Sequence, residues 1–500
     1  MARRVRVLRF FLLFLLQGPT SFCEQAAKIQ VNWDKIVRTS KTKPTLLVIG
    51  TPPLRRSSDV HNRVLQLVKD LDCDDVRYVP WQAYPRLGVA ELEPPSNAGT
   101  AWDFSLIDPM TEDLMNATKG RSLVLNFSTI PQWMFKTPEP VSYPADPNQT
   151  FWKYQQGTEL RDPSFREAAD YFARIVSWYV NGGFTDELGK QHESGHHYRV
   201  DYWEVLNEPD IEHHFTPEAY TRLYDAVVEA VHKVAPQVKF VGLCWSYPSG
   251  HPELFEYFLN PQNHKPDTPL DMISYHFYAV PGSDETPEIY PYTFFSQADK
   301  FLEIVGYIES IRKRLSPGTG TMVNEIGTML PDDWLQSDPS HVFQPVPPSY
   351  WSLSAAVYAY VFAGLAQMGI DAAGESELTS RPGFFRSIAM LNWPAAAPNA
   401  RYRVLKLIGD NFAPGDKLAE TSGGVPNVMI QGFIKPDGER KLLLVNKRDR
   451  ELGLMLPEAA GGKLEVVDQT TGSGPPSVSQ ITGHTFNLRG TAVAVLTLAK

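Results

Sequence analysis

The sequence predicts an α/β fold, a (β/α)8 TIM barrel carrying a C-terminal β-sandwich domain, and three observations carry the prediction. From Thr45 onward, short apolar runs alternate with longer amphipathic stretches, the rhythm of βα units around a parallel sheet. No glycine-rich phosphate loop follows the first apolar run, which argues against an open doubly wound sheet. Beyond Asp410 the composition changes to short alternating strands separated by Gly, Pro and Asp, the pattern of an all-β module.

In chain order, Arg3, Arg4, Arg6 and Arg9 precede the apolar run Phe10 to Leu16 and a small-residue segment ending at Cys23. That order is expected of a secretory signal spanning residues 1–23, and the run is too short to cross a bilayer. Residues 24–44 contain Ile29 to Trp33, alternating like an edge strand of the β domain. Residues 45–410 form the expected barrel, whose strands are Thr45 to Gly50, Val76 to Pro80, Ser122 to Ser128, Tyr202 to Pro209, Lys239 to Trp245, Met272 to Tyr278, Thr321 to Gly327 and Ile370 to Glu375. Helices are expected from an Asp59 cap through Lys69, over Ser164 to Asn181 with Gly182-Gly183 as a stop, and from the Thr216 cap with Pro217 to Val234. Further helices are expected over Glu253 to Phe258, Gln297 to Arg314, Ser352 to Met368 and Arg401 to Leu407. Residues 411–500 are the expected sandwich, with strands at Val428 to Ile434, Lys441 to Asn446, Leu452 to Leu456, Leu464 to Asp468 and Ala492 to Leu498.

The formal charge of −10 becomes more negative once the signal arginines are removed, so bulk charge offers nothing to a polyanion and nucleic acid is not an expected partner. Cys73 and Cys244 remain after such cleavage and read either as a disulfide or as two buried thiols. Asn116 and Asn148 stand in accessible glycosylation sequons, whereas Asn126 lies in a strand-like run.

The chemistry centres on Tyr202 to Pro209, an apolar stretch that ends in Asn207-Glu208-Pro209. A carboxyl among apolar and aromatic neighbours has its neutral form favoured, as a general acid near neutral pH requires. In a barrel, strand C-termini face one mouth, so Glu208 on the fourth strand and Glu325 on the seventh are expected to meet there. Two carboxyls across a pocket are the parts of a glycosidase: one protonates the leaving oxygen, the other attacks or directs water. By the period of two, His276 and Tyr278 share the inner face of strand six, Tyr275 and Phe277 face the helices, and Glu204 lies deeper on the inner face as a structural hydrogen-bond partner. Trp81, Tyr84, Trp133, Trp152, Trp245 and Trp393 sit at or after strand ends, where they are expected either to stack on sugar faces or to pack under loops. His192, His196, His197, His213 and His214 are scattered without metal-binding spacing, so no metal is expected. No cofactor is called for, and the expected partner is an oligo- or polysaccharide or a glycoconjugate. The competing expectation is a catalytically silent glycan-binding protein on the same scaffold.

Asp201 to Pro209, Glu325, His276, Leu391-Asn-Trp393 and Asn399-Ala-Arg-Tyr402 together resemble glycoside hydrolase family 39, a retaining family with (β/α)8 barrels. That family contains β-xylosidases and α-L-iduronidases and pairs its barrel with a β-sandwich. The resemblance implies a secreted retaining hydrolase of a β-xyloside- or uronide-like glycan. It assigns Glu208 as acid/base and Glu325 as nucleophile, with Asn207 on the sugar 2-hydroxyl. The iduronidase members further suggest Arg381, in Ser380 to Arg386 beyond strand eight, as a cationic fork for a uronate carboxylate, against the plainer expectation that it pairs with Glu375.

Overall fold

The computed structural model describes residues 26–499 except 140–141, 153, 155–156, 339 and 423–425. The expected secretory signal lies outside the described residues. Among them, no helix is long and apolar enough to cross a membrane.

Eight parallel strands close into a barrel: β1 (Lys43–Ile49), β2 (Asp75–Val79), β3 (Ser122–Leu125), β4 (Tyr202–Glu204), β5 (Lys239–Trp245), β6 (Met272–Ala279), β7 (Gly320–Thr328) and β8 (Ala372–Glu375). Each is followed by a helix: α1 (His61–Leu71), α2 (Ile107–Ala117), α3 (Arg166–Val180), α4 (Pro217–Val234), α5 (Pro252–Phe258), α6 (Tyr290–Leu315), α7 (Pro348–Met368) and α8 (Ala400–Asn411). The Thr216 hydroxyl accepts from the Ala219 N–H and Pro217 occupies the first turn of α4, as its sequence requires. Gly369 closes α7 in the left-handed region at φ 77°. Three expectations need correction. Asp59 does not cap α1, whose N-cap position is Val60, with no side-chain cap. The helix α2 was not anticipated. Regular pairing on β4 stops at Glu204, because Leu206 and Glu208 adopt left-handed backbone at φ 66° and 41°.

The β domain contains a seven-stranded sheet and a three-stranded sheet. The first runs from Gln30–Thr39 through β9 (Lys417–Ser422), β10 (Val428–Ile434), β11 (Arg440–Asn446), then β16 (Val493–Thr497), β13 (Lys463–Val467) and β14 (Ser477–Gln480). The second pairs Ala27–Lys28 with β12 (Leu452–Met455) and β15 (Thr485–Leu488). Alternation decides what each face meets. Leu443, Val445, Val493 and Val495 join the large barrel core, while Leu442, Leu444, Ala494 and Leu496 form the core between the two sheets. Helix α7 lies between the barrel and this sheet and is buried almost all round, which is why its sequence has no polar stripe.

Candidate active site

Inside the barrel, Val124, Val241, Met322 and Ala372 form a small apolar plug. Two residues further along their strands the character changes. Asn126, Glu204, Ser274 and Asn324 follow Val124, Tyr202, Met272 and Met322 at the period of two and build a polar network. Glu204 is its centre: its Oε1 accepts from Ser274 (2.6 Å) and Asn324 (2.6 Å), and its Oε2 from Asn126 (2.7 Å) and Arg77 Nε (2.5 Å). Four donors satisfy a fully buried carboxylate, in the structural role expected of Glu204.

Arg77 connects this network to the floor of the mouth. Its Nη1 donates to Glu325 Oε1 (2.6 Å), and its Nη2 reaches Asn207 Oδ1 (2.8 Å) and Cys244 Sγ (3.0 Å). Bulges bring these groups onto one face. On β7, Tyr275 pairs with Val323 and His276 with Glu325, so Asn324 is the extra residue and both it and Glu325 reach inward. On β5, Ser274 pairs with Leu243 and Tyr275 with Trp245, which leaves Cys244 as the inserted residue. Leu243 and Cys244 accordingly take φ values of 74° and 50°. Left-handed residues other than glycine are strained, and Leu206, Glu208, Leu243 and Cys244 bring four of them to the polar centre.

Glu325 is held by Arg77, by the Tyr278 hydroxyl donating to Oε2 (2.6 Å), and by His276 Nδ1 at 3.5 Å. Burial alone would raise its carboxyl, but His276, Arg77 and the Tyr278 hydrogen bond together hold it below the usual carboxylate value. Glu208 goes the other way. Burial pushes its carboxyl up and the nearby charge of Glu325 adds to that, against the His276 hydrogen bond at 2.8 Å. The imidazole of His276 would be lowered by burial, yet Glu325, Cys244 and Glu208 raise it well above the ordinary histidine value. As a cation it donates from both nitrogens, to Glu208 Oε1 and to Cys244 Sγ (3.2 Å), and the thiol in turn donates a hydrogen bond to Asn207 Oδ1 (3.4 Å). One oxygen each of Glu208 and Glu325 and one His276 nitrogen lie within 4.8 Å of one another.

These groups floor a cavity of about 580 Å³ at the C-terminal ends of the strands. Of the sequence-predicted residues, Asn207, Glu208, Tyr278, Glu325 and Trp81 line it, and His276 lies directly beneath. The Trp81 indole donates to Glu212 Oε1 (2.8 Å), stacks on Phe385 and packs edge-on against Trp152. Asn207 Nδ2 donates to the same Glu212 oxygen (2.9 Å), so the Asn207 amide orientation is set from both ends.

Four other expectations are redirected. Trp133 packs under a loop, its indole donating to the Glu91 carbonyl (2.9 Å) and its face covered by Arg161. Trp245 is buried and lines a separate depression against α4 and α5, because the bulge at Cys244 turns Trp245 away from the mouth. Arg381 and Trp393 line a third depression with Pro52 and Asn148. Arg381 does not pair with Glu375 either: Arg401 of α8 takes that carboxylate (2.6 Å). Tyr275 and Phe277 do face the helix layer, packing on Phe301 of α6. Cys73 and Cys244 are free and buried.

The residues that sequence reasoning missed are Arg77, Cys244, Asn126, Asn324, Glu212, Glu377 and the rim aromatics Tyr247 and Trp334. Arg77 carried a visible signal, an arginine at an inward position of an otherwise apolar strand. The loop histidines are engaged locally, His192 with Asp186, His196 with Asp108, and His213 and His214 with carbonyls.

No family model matches the chain, and no curated protein matches it. Among solved structures the fold is similar to a GH51 arabinofuranosidase from Xanthomonas axonopodis pv. citri, with 13% identity, a TM-score of 0.65, and coverage of 95% of this chain and 100% of that one. A glucosidase from Croceicoccus marinus aligns at 16% identity and a TM-score of 0.57, over 95% of this chain and 99% of that one. A GH30 endoxylanase from Clostridium papyrosolvens C71 aligns at 12% identity and 0.55, over 95% and 100%. These neighbours are glycoside hydrolases, and at such identities the likeness is one of fold, a barrel accompanied by a β domain.

Proposed function

We propose that this protein is a retaining glycoside hydrolase, similar to family 39, that cleaves O-glycosidic bonds of an oligosaccharide, polysaccharide or glycoconjugate. The observation that carries the reading is a pair of carboxyls facing one cavity with opposite proton affinities, Glu325 lowered and Glu208 raised. One oxygen of each carboxyl lies within 4.8 Å of the other, so both groups reach one anomeric centre, and the retaining course follows the resemblance to family 39. In the first step a Glu325 oxygen bonds to the anomeric carbon as the glycosidic C–O bond breaks and Glu208 gives its proton to the leaving oxygen. In the second, Glu208 takes a proton from water, the hydroxide adds to the anomeric carbon, and Glu325 leaves as carboxylate. The charged form of His276, favoured by its acidic neighbours, hydrogen-bonds Glu208 and lies 3.5 Å from Glu325, so it favours the carboxylate of each. Asn207, adjacent to the acid and fixed by Arg77 and Glu212, is placed to hydrogen-bond a sugar hydroxyl. We further propose that the chain is secreted, on the basic, apolar and small-residue order of residues 1–23.

Mechanism-based labelling tests the reading. A panel of 2-deoxy-2-fluoro glycosyl fluorides should leave a covalent sugar on Glu325, located by peptide mass spectrometry. Reversible binding of sugars with no label from any member would favour the silent glycan-binding protein instead. The pH dependence gives an independent check. Activity should appear as pH rises through the depressed Glu325 ionisation and disappear as pH rises through the raised Glu208 ionisation, because the first must be charged and the second protonated. The profile of kcat/KM should therefore be a bell, and a flat profile across both limbs would contradict the assignment.

A further inference from the structure

Just beyond β8, Glu377 lines the cavity beside Glu325 and is 1% exposed, yet its Oε1 has no hydrogen-bond partner. The other carboxyls of the cavity are held: Glu208 by His276, Glu325 by Arg77 and Tyr278, Glu212 by Trp81 and Asn207. Glu377 is not loose. Its carbonyl accepts from the Met390 N–H (2.8 Å), the next residue donates to Leu47 (3.0 Å), and Arg401 clamps the carbonyls of Ser376 and Ile388 on either side of the loop. A rigidly placed, buried polar atom without a partner is uncommon in a folded protein, and beside a reaction centre its missing partner is the natural place for a ligand group.

The cavity's charge says what kind of group. Its lining includes four glutamates, at 208, 212, 325 and 377, and no lysine or arginine among the described residues. Arg77 lies beneath the floor with all its acceptors in place, and Arg381 opens into a different depression. A uronate carboxylate would enter among acids without a counter-ion, whereas a neutral sugar brings hydroxyls that both donate and accept. Resting on the glycosidase reading above, we propose that Glu377 reads a hydroxyl of an uncharged sugar, so that the substrate is a neutral glycoside and not a uronide. Burial, with the charges of Glu325 and Asp333 added and Arg401 opposing, pushes the Glu377 carboxyl well above the usual range. The neutral form that this favours can donate one hydrogen bond and accept others, and it puts no second anion beside Glu325.

The test is a panel of aryl glycosides (β-xyloside, β-glucoside, α-L-arabinofuranoside, β-glucuronide, α-L-iduronide) on the full chain, followed by the monodeoxy forms of the best substrate. Neutral members should be cleaved with kcat/KM at least about 100-fold above either uronide. One deoxy position should lose about 100-fold or more with the wild type. In Glu377→Ala that same position should lose little further, while the parent sugar loses a comparable factor, with Glu377→Gln, which keeps a donor, in between. A uronide as best substrate overturns the inference and leaves the glycosidase reading standing. Identical deoxy profiles in wild type and both variants overturn the role of Glu377. No cleavage and no covalent label with any sugar overturns the glycosidase reading, and this inference with it. If the alanine variant does not fold, the wild-type deoxy series and the glutamine variant decide.

Discussion

Glu325→Gln is expected to lower kcat by a factor on the order of 10⁵ on every substrate, including activated aryl glycosides, because a neutral amide cannot replace the carboxylate that bonds to the anomeric carbon. The geometry makes Glu325 hard to replace. Arg77 and Tyr278 fix its two oxygens separately, so the attacking carboxylate has one orientation and its charge is stabilised before substrate arrives. Glutamine keeps the volume and an acceptor for Arg77, so the loss should appear in turnover and not in folding, checked by circular dichroism. The contrast with Glu208→Ala sharpens the assignment. That variant loses both proton donation to the leaving group and base assistance to water, so it should form and accumulate the covalent intermediate on nitrophenyl glycosides, whose leaving group needs no proton, and fail on ordinary sugars. Near-normal turnover by Glu325→Gln, in a sample shown by mass spectrometry to be free of deamidated protein, would remove the nucleophile from the mechanism.

Much of this site was legible because barrel strands obey a period of two. Once strand six is placed, His276 and Tyr278 must face inward and Tyr275 and Phe277 outward, and the structure has them so. The same periodicity put Glu204 below Glu208 and marked it as scaffold. What it could not supply were the bulges. An inserted residue at Cys244 or Asn324 leaves no mark in composition, yet it reverses the facing of everything after it, and so Trp245 was expected in the mouth and lies outside it. The rim depends on long loops for a similar reason. Trp334 and Tyr247 line the cavity while about 60% exposed (60% and 62%), and nothing local in sequence distinguishes them from Trp133 or Trp393, whose loops fold elsewhere. Helix α2 escaped notice because no capping side chain marks its start: its N-cap position is Leu106, with no side-chain cap.

Arg77→Met should reduce stability by about 3 to 5 kcal/mol and also change the pH profile, two effects with separate origins. Arg77 touches two carboxylates of different purpose. Towards Glu204 it is a counter-ion in a fully buried network, and removing it strands a charge with no route to water. Towards Glu325 it is one of the charges that keep the carboxyl below its usual value. Without it that value rises, so the acidic limb of kcat/KM should move to higher pH while the alkaline limb, set by Glu208, moves less. Lysine is no substitute, since one ammonium cannot span Glu204, Glu325 and Asn207 as the guanidinium fork does. A second substitution separates the roles. In Arg77→Met with Glu204→Gln the stranded charge is gone, so urea denaturation should show less destabilisation than for Arg77→Met alone. The acidic limb should remain shifted, because Glu325 still lacks its partner. An acidic limb unmoved in both variants would mean that Arg77 serves only the scaffold, and that His276 and Tyr278 suffice to keep the nucleophile ionised.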